Sequence, residues 1–394
     1  MSVTVPRNQV RAAAAGVAVT FGLNGVAVAT WFARVPAARD ALGLTPGALG
    51  LLLLSMSFGA CLAMLTAGEV THRLRPKLTV SVSAVTVAVG LAVAGVGIGA
   101  YPSPWLTAIG IFTLGYGSGL CDVAMNVEAA EVERAIGKTV MPRFHAMWSL
   151  GTVAAAGMAS FAAWAVLPVT AHLAVVAVVV AGGTLVAART YRFAGEADHG
   201  RGSGVLAAWR EPRTLLIGLL VLVLAFTEGT ANDWVAVAFI DGHEFDPALG
   251  ALVFGVFVTT MTFGRIFGTI LLDRWGRVPA IALSMVLAAA GVAVAVFASS
   301  ALVAVVGVGV WGLGTALGFP VGMSAAADDP ARAAARVSVV AVIGYTAFLA
   351  GPPLVGFLGN EVGVLRALLI VPMLLLPALA LVPMLKPVKE SSTP

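Results

Sequence analysis

The chain places a few ionisable and amide side chains inside long apolar stretches. Asp122 and Asn126 lie four residues apart and therefore share one face of a helix. A second group, Glu228, Asn232 and Asp233, lies in a later stretch. An ionisable residue at the centre of a membrane helix costs about 2.5–3.5 kcal/mol on insertion scales, so it is a candidate for function by default. The chemistry that these residue types allow is the binding of a proton and of a polar solute.

Carboxyl groups between helices suit proton transfer. Such a group is desolvated, which disfavours its charged form and lets it take up and release a proton. We therefore predict Asp122 and Glu228 as proton-coupling residues, and His145, about one turn into its own apolar stretch, as a third. The alternatives are a structural bond to a neighbouring helix for each carboxylate and a place at the membrane interface for His145.

Amide and indole side chains in the same stretches are predicted to contact the solute. An amide can hydrogen-bond to a hydroxyl group, and a tryptophan can stack on the face of a sugar ring. The alternative is structural, because membrane asparagines often join helices and membrane tryptophans are usually interfacial or packed. The predicted substrate-binding residues are Asn24, Trp31, Asn126, Asn232, Trp234 and Trp311.

Composition identifies the apolar stretches as membrane spans. Of the 394 residues, 59% are hydrophobic and 11% are charged, whereas ordinary soluble domains carry about 25% charged residues. The stretches are about 20 residues long, the length that a helix needs to cross a hydrocarbon layer of about 30 Å. Arg7 and Arg11 precede the first stretch, which is longer than the apolar part of a signal peptide and is predicted to be the first transmembrane helix.

We predict an all-α membrane protein with twelve transmembrane helices in two pseudo-symmetric six-helix bundles. The N-terminal bundle covers 1–190, a cytoplasmic linker covers 191–213, and the C-terminal bundle covers 214–394. The predicted spans are 11–33, 47–70, 78–100, 105–130, 144–166, 169–190, 214–240, 248–272, 278–299, 301–327, 336–358 and 363–385.

Prolines mark the expected breaks between spans, as at Val35-Pro36 and Thr45-Pro46. Two spans are expected to be interrupted internally. Gly318 and its neighbours interrupt span ten, and Gly351-Pro352-Pro353 interrupt span eleven. The alternative for each is a kink that only shapes packing. Irregular backbone at membrane depth is tolerated where it is buried in protein or lines a water-filled cavity.

The basic residues predict the orientation. With a cytoplasmic N-terminus, nineteen of the 23 lysines and arginines fall in cytoplasmic segments, three fall outside (Arg34, Arg39 and Arg366) and Arg265 lies within a span. This bias follows the positive-inside rule, and it explains the net charge of +4 without a nucleic acid partner. Both termini are therefore predicted to be cytoplasmic, in a bacterial inner membrane.

A charged turn occurs at the same place in each half. The turn after span eight reads Asp273-Arg274-Trp275-Gly276-Arg277, and the turn after span two carries a degraded copy with His72 where the acid is expected. Glycine permits a tight turn, and the charges can form a lock between helices. This repeated motif, with the span count and the central loop, resembles the major facilitator superfamily. The resemblance implies two six-helix bundles that rock about a central site. The predicted gate or lock residues are Arg34, Arg73, Asp233, Arg265, Asp273, Arg274 and Arg277.

Asp122 and Asn126 also indicate a branch of the superfamily. Their spacing resembles the acid-x-x-x-Asn face of the fucose–proton symporters, which implies an acid in proton coupling and an asparagine near the sugar path. The segment after Asp122, with Phe144-His145-Ala146 and the string 228–234, resembles a bacterial branch grouped with the rhizopine-locus protein MosC and with YbjJ. The chain lacks the proline that follows the asparagine in the fucose branch, and its first span has no acid, so fucose itself is not implied.

The sequence favours a secondary transporter over other classes. The preferred interpretation is proton-coupled, alternating-access transport of a small sugar-like solute by a monomer in the bilayer, without a cofactor. A proton-driven drug or metabolite exporter of the same fold is the alternative. A membrane sensor or an integral-membrane enzyme is less favoured, because the sequence has no phosphate-binding loop, no metal-ligand spacing and no G-x-S-x-G motif.

Overall fold

The computed structural model describes residues 6–138, 140–193, 205–329 and 332–386. Within these ranges the chain is helical apart from short turns, and no strand occurs. Eleven helical segments in the described part of the chain are long and apolar enough to cross a membrane. The predicted all-α membrane fold is therefore confirmed. The central residues 194–204 of the predicted linker lie outside the described residues.

Contacts divide the chain into two compact units. The first comprises residues 1–197 and 236–255, and the second comprises 198–235 and 256–394. The helices of the first half are α1 (Arg7–Leu42), α2 (Pro46–Gly95) with a π-helical end (Val96–Ala100), α3 (Pro104–Ile136), α4 (Met141–Trp164) and α5 (Val169–Ala188).

The second half begins with the short helix α6. Its elements are α6 (Val205–Ala208), α7 (Pro212–His243), α8 (Pro247–Trp275), α9 (Arg277–Phe297), α10 (Ala301–Thr315), α11 (Gly318–Ala326), α12 (Ala333–Val362), α13 (Val364–Ala367), α14 (Ile370–Ala378) and a 3-10 helix (Leu379–Leu385). The C-terminal end of α7 and the start of α8, residues 236–255, belong to the first compact unit.

The longest helical segment contains two spans. Pro46–Ala100 runs for 55 residues, about twice what one crossing of the bilayer needs. A single residue breaks it, Arg75, with φ 65° and ψ 156°. The predicted break between 71 and 77 therefore falls at Arg75, and the other residues of that range are helical. The parts on either side of Arg75 correspond to the second and third predicted spans, which brings the eleven segments to twelve crossings.

Proline acts as predicted at helix starts but not inside two helices. Pro46 and Pro104 open α2 and α3 behind the side-chain caps Thr45 and Ser103. Pro36, however, lies inside α1, and the predicted boundary at Val35-Pro36 is wrong. The predicted interruption at Gly351-Pro352-Pro353 is also wrong, because α12 runs through both prolines. In membrane helices neighbouring groups can satisfy the backbone that proline frees. Span ten does break, between α10 and α11.

Small residues bring α1 and α4 close together. A Cβ atom on Gly25 would lie 2.3 Å from the carbonyl oxygen of Trp148, and one on Gly151 would lie 2.1 Å from that of Gly22. Backbones approach this closely only where glycine leaves room, the usual packing device of membrane helices. The contact fixes α1, which carries Asn24, beside α4.

Candidate functional site

Asp122 and Asn126 form a hydrogen-bonded pair on α3. The Asn126 amide donates from Nδ2 to the Asp122 carbonyl oxygen at 2.8 Å and to the carboxylate Oδ1 at 3.3 Å. Both side chains are half-buried, and each directly follows a buried residue, Cys121 or Met125. Asp122 forms no ion pair with any other described residue. The pair therefore joins a carboxylate without a counter-charge to an amide that can also bind a solute.

His145 lies at the start of α4, against α1. Its ring contacts Phe21 edge-on at a centroid distance of 5.1 Å, and Phe21 also stacks on Phe144 at 5.9 Å. Phe21 is fully buried, whereas His145 is exposed on its other side. The aromatic contact positions the imidazole at one end of the span. Its coupling role stays a prediction.

Glu228 on α7 pairs with Arg265 on α8. The guanidinium Nη2 lies 2.9 Å from the Glu228 Oε1, and both side chains are largely buried. Glu228 therefore compensates the charge of Arg265, and the role of Arg265 in the cytoplasmic lock stays a prediction. The second unit thus holds a buried ion pair within the span of both helices.

Asp233 differs from Glu228 in having no counter-ion in the part of the chain that the structure describes. Asn232 and Asp233 lie one turn beyond Glu228 on α7, and both are half-buried. Neither side chain makes a hydrogen bond to another described residue. Asp233 is therefore a second uncompensated carboxylate at membrane depth, on the other unit from Asp122.

Arg34 anchors α1 to the turn between α4 and α5. It is 4% exposed, and its Nη2 donates to the Leu167 carbonyl oxygen at 3.0 Å, whereas its Nε has no partner. His172 on α5, which the sequence analysis did not single out, is also buried, and neither ring nitrogen has a partner. A lone histidine in an otherwise apolar stretch was the available signal for it.

The predicted tryptophans are fully buried. Trp31, Trp234 and Trp311 each have a relative exposure of 0%, and none of the three indole N–H groups has a hydrogen-bond partner. Trp311 packs edge-on against Phe257 at 5.5 Å. Because no ring face is exposed in this structure, stacking on a solute stays a prediction that requires side-chain movement. Asn24 is also buried, with 4% exposure.

A pair of contacts joins α1 and α4 to the 236–255 segment within the first unit. Arg39 lies 2.6 Å from Asp241, measured between Nη1 and Oδ2, and Ser160 donates to the Ala248 carbonyl oxygen at 2.9 Å. The sequence analysis counted Arg39 only as an external basic residue. The acid in the external turn predicted after span seven, Asp241, was the available signal for this pair.

The charged turn after span eight forms its ion pairs through Asp328. Gly276 turns the chain at φ 79°, and Arg277 then pairs with Asp328 at 2.6 Å and with the Ser324 hydroxyl at 3.0 Å. Arg213 binds the other Asp328 oxygen at 3.0 Å. Asp273 and Arg274 are exposed and form no ion pair within the described ranges. Sequence reasoning missed Asp328, which lies in a loop far from the motif.

The corresponding turn of the first half is simpler. Arg73 pairs with Glu69 at 2.6 Å, one helical turn apart, and both side chains are more than half exposed. Exposed pairs of this kind contribute about 0.3–0.5 kcal/mol. Aligning His72 with Asp273 places Arg75 opposite Gly276, and both residues have positive φ. The repeat is thus visible in the backbone.

Another charged cluster holds the start of α7. Glu211 accepts hydrogen bonds from Arg336 at 2.6 Å, Arg332 at 3.0 Å and Thr214 at 2.8 Å. The hydrogen bond from Arg336, with those from Thr214 and Arg332, lowers the pKa of Glu211 to about 2. The carboxylate stays charged through the physiological range and ties α7 to α12.

Two carboxylates also order the C-terminal end of α3. Glu128 is fully buried and its Oε1 accepts the backbone N–H groups of Arg192, at 2.8 Å, and Phe193, at 3.3 Å. Glu133 accepts the backbone N–H groups of Val140 and Met141, which open α4. Within the described ranges, no group of three His, Cys, Asp or Glu side chains is placed to hold a metal ion.

Comparison with known proteins gives the family. The Major Facilitator Superfamily model matches residues 13–309 and 221–394. The chain is 32% identical over 349 residues to the uncharacterised transporter y4wD of Sinorhizobium fredii, covering 88% of this chain and 90% of the relative. It is 29% identical over 358 residues to membrane protein MosC of Rhizobium meliloti, covering 90% and 86%. The predicted resemblance to the MosC branch is confirmed.

Solved structures agree on the fold. The nucleoside transporter NupG superimposes with a TM-score of 0.77 at 14% identity, over 94% of this chain and 98% of that one. A variant of the E. coli fucose:proton symporter FucP superimposes with a TM-score of 0.65 at 15% identity, over 94% and 98%. With the family match over nearly the whole chain, these findings identify the protein as a multi-pass membrane transporter of the major facilitator superfamily.

Proposed function

We propose that the chain carries a small polar solute, sugar-like in chemistry, across a bacterial inner membrane together with a proton. The observation that carries the proposal is the pair of Asp122 and Asn126 on α3. Its carboxylate has an amide partner, no counter-ion among the described residues and only partial burial. Such a carboxyl group can bind a proton while the neighbouring amide binds a hydroxyl group of the solute.

Proton binding and solute binding are coupled because the Asp122 carboxylate and a solute hydroxyl group share one hydrogen-bond donor, the Asn126 amide. When Asp122 is charged, its Oδ1 accepts from the Asn126 amide. When it is protonated, the carboxyl group becomes a donor, and the amide can turn to a solute hydroxyl group. Solute binding then favours the protonated state, and the two are carried together. Release on the other side returns the carboxylate and its amide to the starting pair.

Two other carboxylates compete for this role. The Glu228 carboxylate already has a counter-ion, because the Arg265 guanidinium lies 2.9 Å away. Asp233 has no counter-ion in the described part of the chain, so it is the alternative carrier. We rank Asp122 first because Asn126 provides the link to the solute.

A proton-driven exporter of the same fold is the runner-up. Polar groups at membrane depth on α3 and α7 favour a polar solute over an apolar drug, since an unmatched apolar ligand would leave them without partners. The proteoliposome experiment described below also determines the direction in which the solute is transported. Neither y4wD nor MosC carries a substrate in its name, so the solute class rests on the site.

The test starts from solute identification. Purified protein is screened by thermal shift against hexoses, polyols and sugar acids, because a ligand at 100 times its Kd stabilises the folded state by about 2.7 kcal/mol. The best ligand is then offered in radiolabelled form to proteoliposomes with an imposed pH gradient. Accumulation that follows the gradient and collapses with a protonophore supports the proposal. Uptake that ignores the gradient contradicts proton coupling, and binding of only apolar drugs contradicts the solute class.

Both termini are proposed to be cytoplasmic, because the basic residues cluster at that side. Reporter fusions after Pro102 and after Asp241 should read periplasmic, and a fusion after Gly200 should read cytoplasmic. A reversed result at any of the three positions contradicts the orientation.

A further inference from the structure

An apolar groove of about 610 Å³ lies between α1 and α5 in the first unit. Its wall includes Ala15, Gly16, Gly182, Val186, Ala187 and Thr190, and no polar atom is exposed in it. The only hydroxyl among these residues, on Thr190, donates to the Ala187 carbonyl oxygen at 2.7 Å. The groove therefore offers nothing to a polar solute, although its volume falls within the range of about 300–1,000 Å³ typical of ligand sites.

Two glycines set the shape of the groove. At its floor the helices touch, because a Cβ atom on Gly16 would lie 2.0 Å from the Thr190 Oγ1. On the α5 side a Cβ atom on Gly182 would meet no atom within 4 Å. The space beside Gly182 is therefore open, and a side chain placed there would fill the groove without displacing its walls.

Arginines surround one end of the groove. Arg7 and Arg11 lie in the first turns of α1, and Arg189 and Arg192 follow the end of α5; all four are exposed. None forms an ion pair with another described residue. Arg11 precedes the wall residue Ala15 by four positions and Arg189 follows Val186 by three, so both lie on the groove side of their helices. This end is the one predicted to face the cytoplasm.

We propose that the groove binds an anionic phospholipid of the cytoplasmic leaflet, with an acyl chain between α1 and α5 and the phosphate among these arginines. The two parts of the site match the two parts of such a lipid. Guanidinium groups bind phosphate through charge-assisted hydrogen bonds, and basic clusters at the cytoplasmic membrane surface recognise anionic headgroups.

Charge argues against a second copy of the chain as the occupant. A symmetric pair would place the same surface of each copy face to face. The four arginines of one copy would then meet the four of the other, with like charges close together. A lipid phosphate instead supplies the opposite charge.

The test uses the full-length protein purified in detergent and stripped of lipid. Native mass spectrometry measures the binding of phosphatidylglycerol and of phosphatidylcholine with identical acyl chains. The wild type should bind phosphatidylglycerol about tenfold more tightly or better, a difference of about 1.4 kcal/mol. Equal binding of the two lipids overturns the proposal, because the headgroup would then not be recognised.

Gly182→Leu fills the groove, and Gly157→Leu is its matched control. A Cβ atom on Gly157 also meets no atom within 4 Å, and Gly157 is exposed on α4, away from the groove. We expect Gly182→Leu to lower the phosphatidylglycerol affinity about tenfold or more and Gly157→Leu to leave it unchanged. Wild-type affinity in Gly182→Leu overturns the proposal, as does an equal loss in both variants.

The double variant Arg11→Gln with Arg189→Gln keeps the test valid if Gly182→Leu fails to fold. Both side chains are exposed, and their removal should reduce phosphatidylglycerol binding to the phosphatidylcholine level, with phosphatidylcholine binding unaltered. Unchanged phosphatidylglycerol binding overturns the headgroup site. If the wild type is a dimer and Gly182→Leu is a monomer that still binds lipid, the groove binds a second copy of the chain instead.

Discussion

Arg265 on α8 donates from Nη2 to the Glu228 carboxylate on α7 at 2.9 Å, and it does so within the span of both helices. The side chains are only 27% and 16% exposed. Each charge therefore depends on the other, because water is too limited around them to compensate either one alone.

Removal of one partner should cost more stability than removal of both. Breaking a fully buried pair costs about 3–5 kcal/mol, and a smaller cost is expected here because both side chains are partly exposed. Glu228→Gln and Arg265→Gln should each lower the apparent melting temperature, and the double variant should recover part of the loss. Glu69→Gln, in the exposed pair with Arg73, is the control and should change little. A double variant with the sum of the two single losses would show that the pair is not coupled.

Arg75 should be a strained residue that glycine relieves. Its φ of 65° and ψ of 156° lie in a region that only glycine adopts easily, at a cost on the order of 1–3 kcal/mol for other residues. Arg75→Gly should therefore raise the apparent melting temperature, and Gly276→Ala, at φ 79°, should lower it. Arg73→Gly, in a helical turn, is the comparison and should destabilise by about 1 kcal/mol. If Arg75→Gly has a lower melting temperature than Arg73→Gly, the backbone at Arg75 is not strained.

Asp328 should matter more for stability than the motif acid Asp273. Asp328 binds Arg213 and Arg277 at once, so Asp328→Asn removes the negative charge that pairs with two guanidinium groups. We expect a clear decrease in melting temperature for Asp328→Asn and almost none for the exposed Asp273→Asn. Thermal unfolding of both variants under one detergent condition decides this. Greater loss in Asp273→Asn would mean that the motif acid holds the turn after all.

Glu211 gives a prediction for pH. Its pKa lies at about 2, below the ordinary value of 4.5, chiefly because of the hydrogen bond from Arg336. A lowered pKa contributes stability above pH 4.5 that is lost as the pH falls toward about 2. The melting-temperature difference between wild type and Glu211→Gln should thus be constant from pH 7 to about pH 5 and shrink below it. Glu361→Gln, at an exposed position, controls for charge. A difference that grows on acidification would contradict the assignment.

The sequence predicted the spans well because their length and composition are set by the bilayer, independently of packing. The predicted helix boundaries were less accurate where a single residue determines whether a helix continues or breaks. The helices α1 and α12 continue through Pro36 and Pro352, which membrane helices tolerate because neighbouring groups can satisfy the backbone that proline frees. The position of the break, at Arg75, could not be predicted, because no glycine occupies that position.

The candidate site divides in the same way. The pairing of Asp122 with Asn126 follows from helical periodicity alone, which a sequence displays. The pairing of Arg265 with Glu228, and of Arg277 with Asp328, depends on how two helices are rotated against each other. Spacing along the chain carries no information about that rotation, so these partners required the structure.

The most direct test of the account is proton-driven accumulation by Asp122→Asn. The asparagine resembles the protonated carboxyl group permanently, so the variant should still exchange labelled solute for unlabelled solute across a proteoliposome membrane. It should fail to concentrate the solute when a pH gradient is imposed, whereas Glu228→Gln should still concentrate it. Normal accumulation by Asp122→Asn would contradict the account. If only Asp233→Asn loses accumulation, proton coupling belongs to Asp233 on α7 instead.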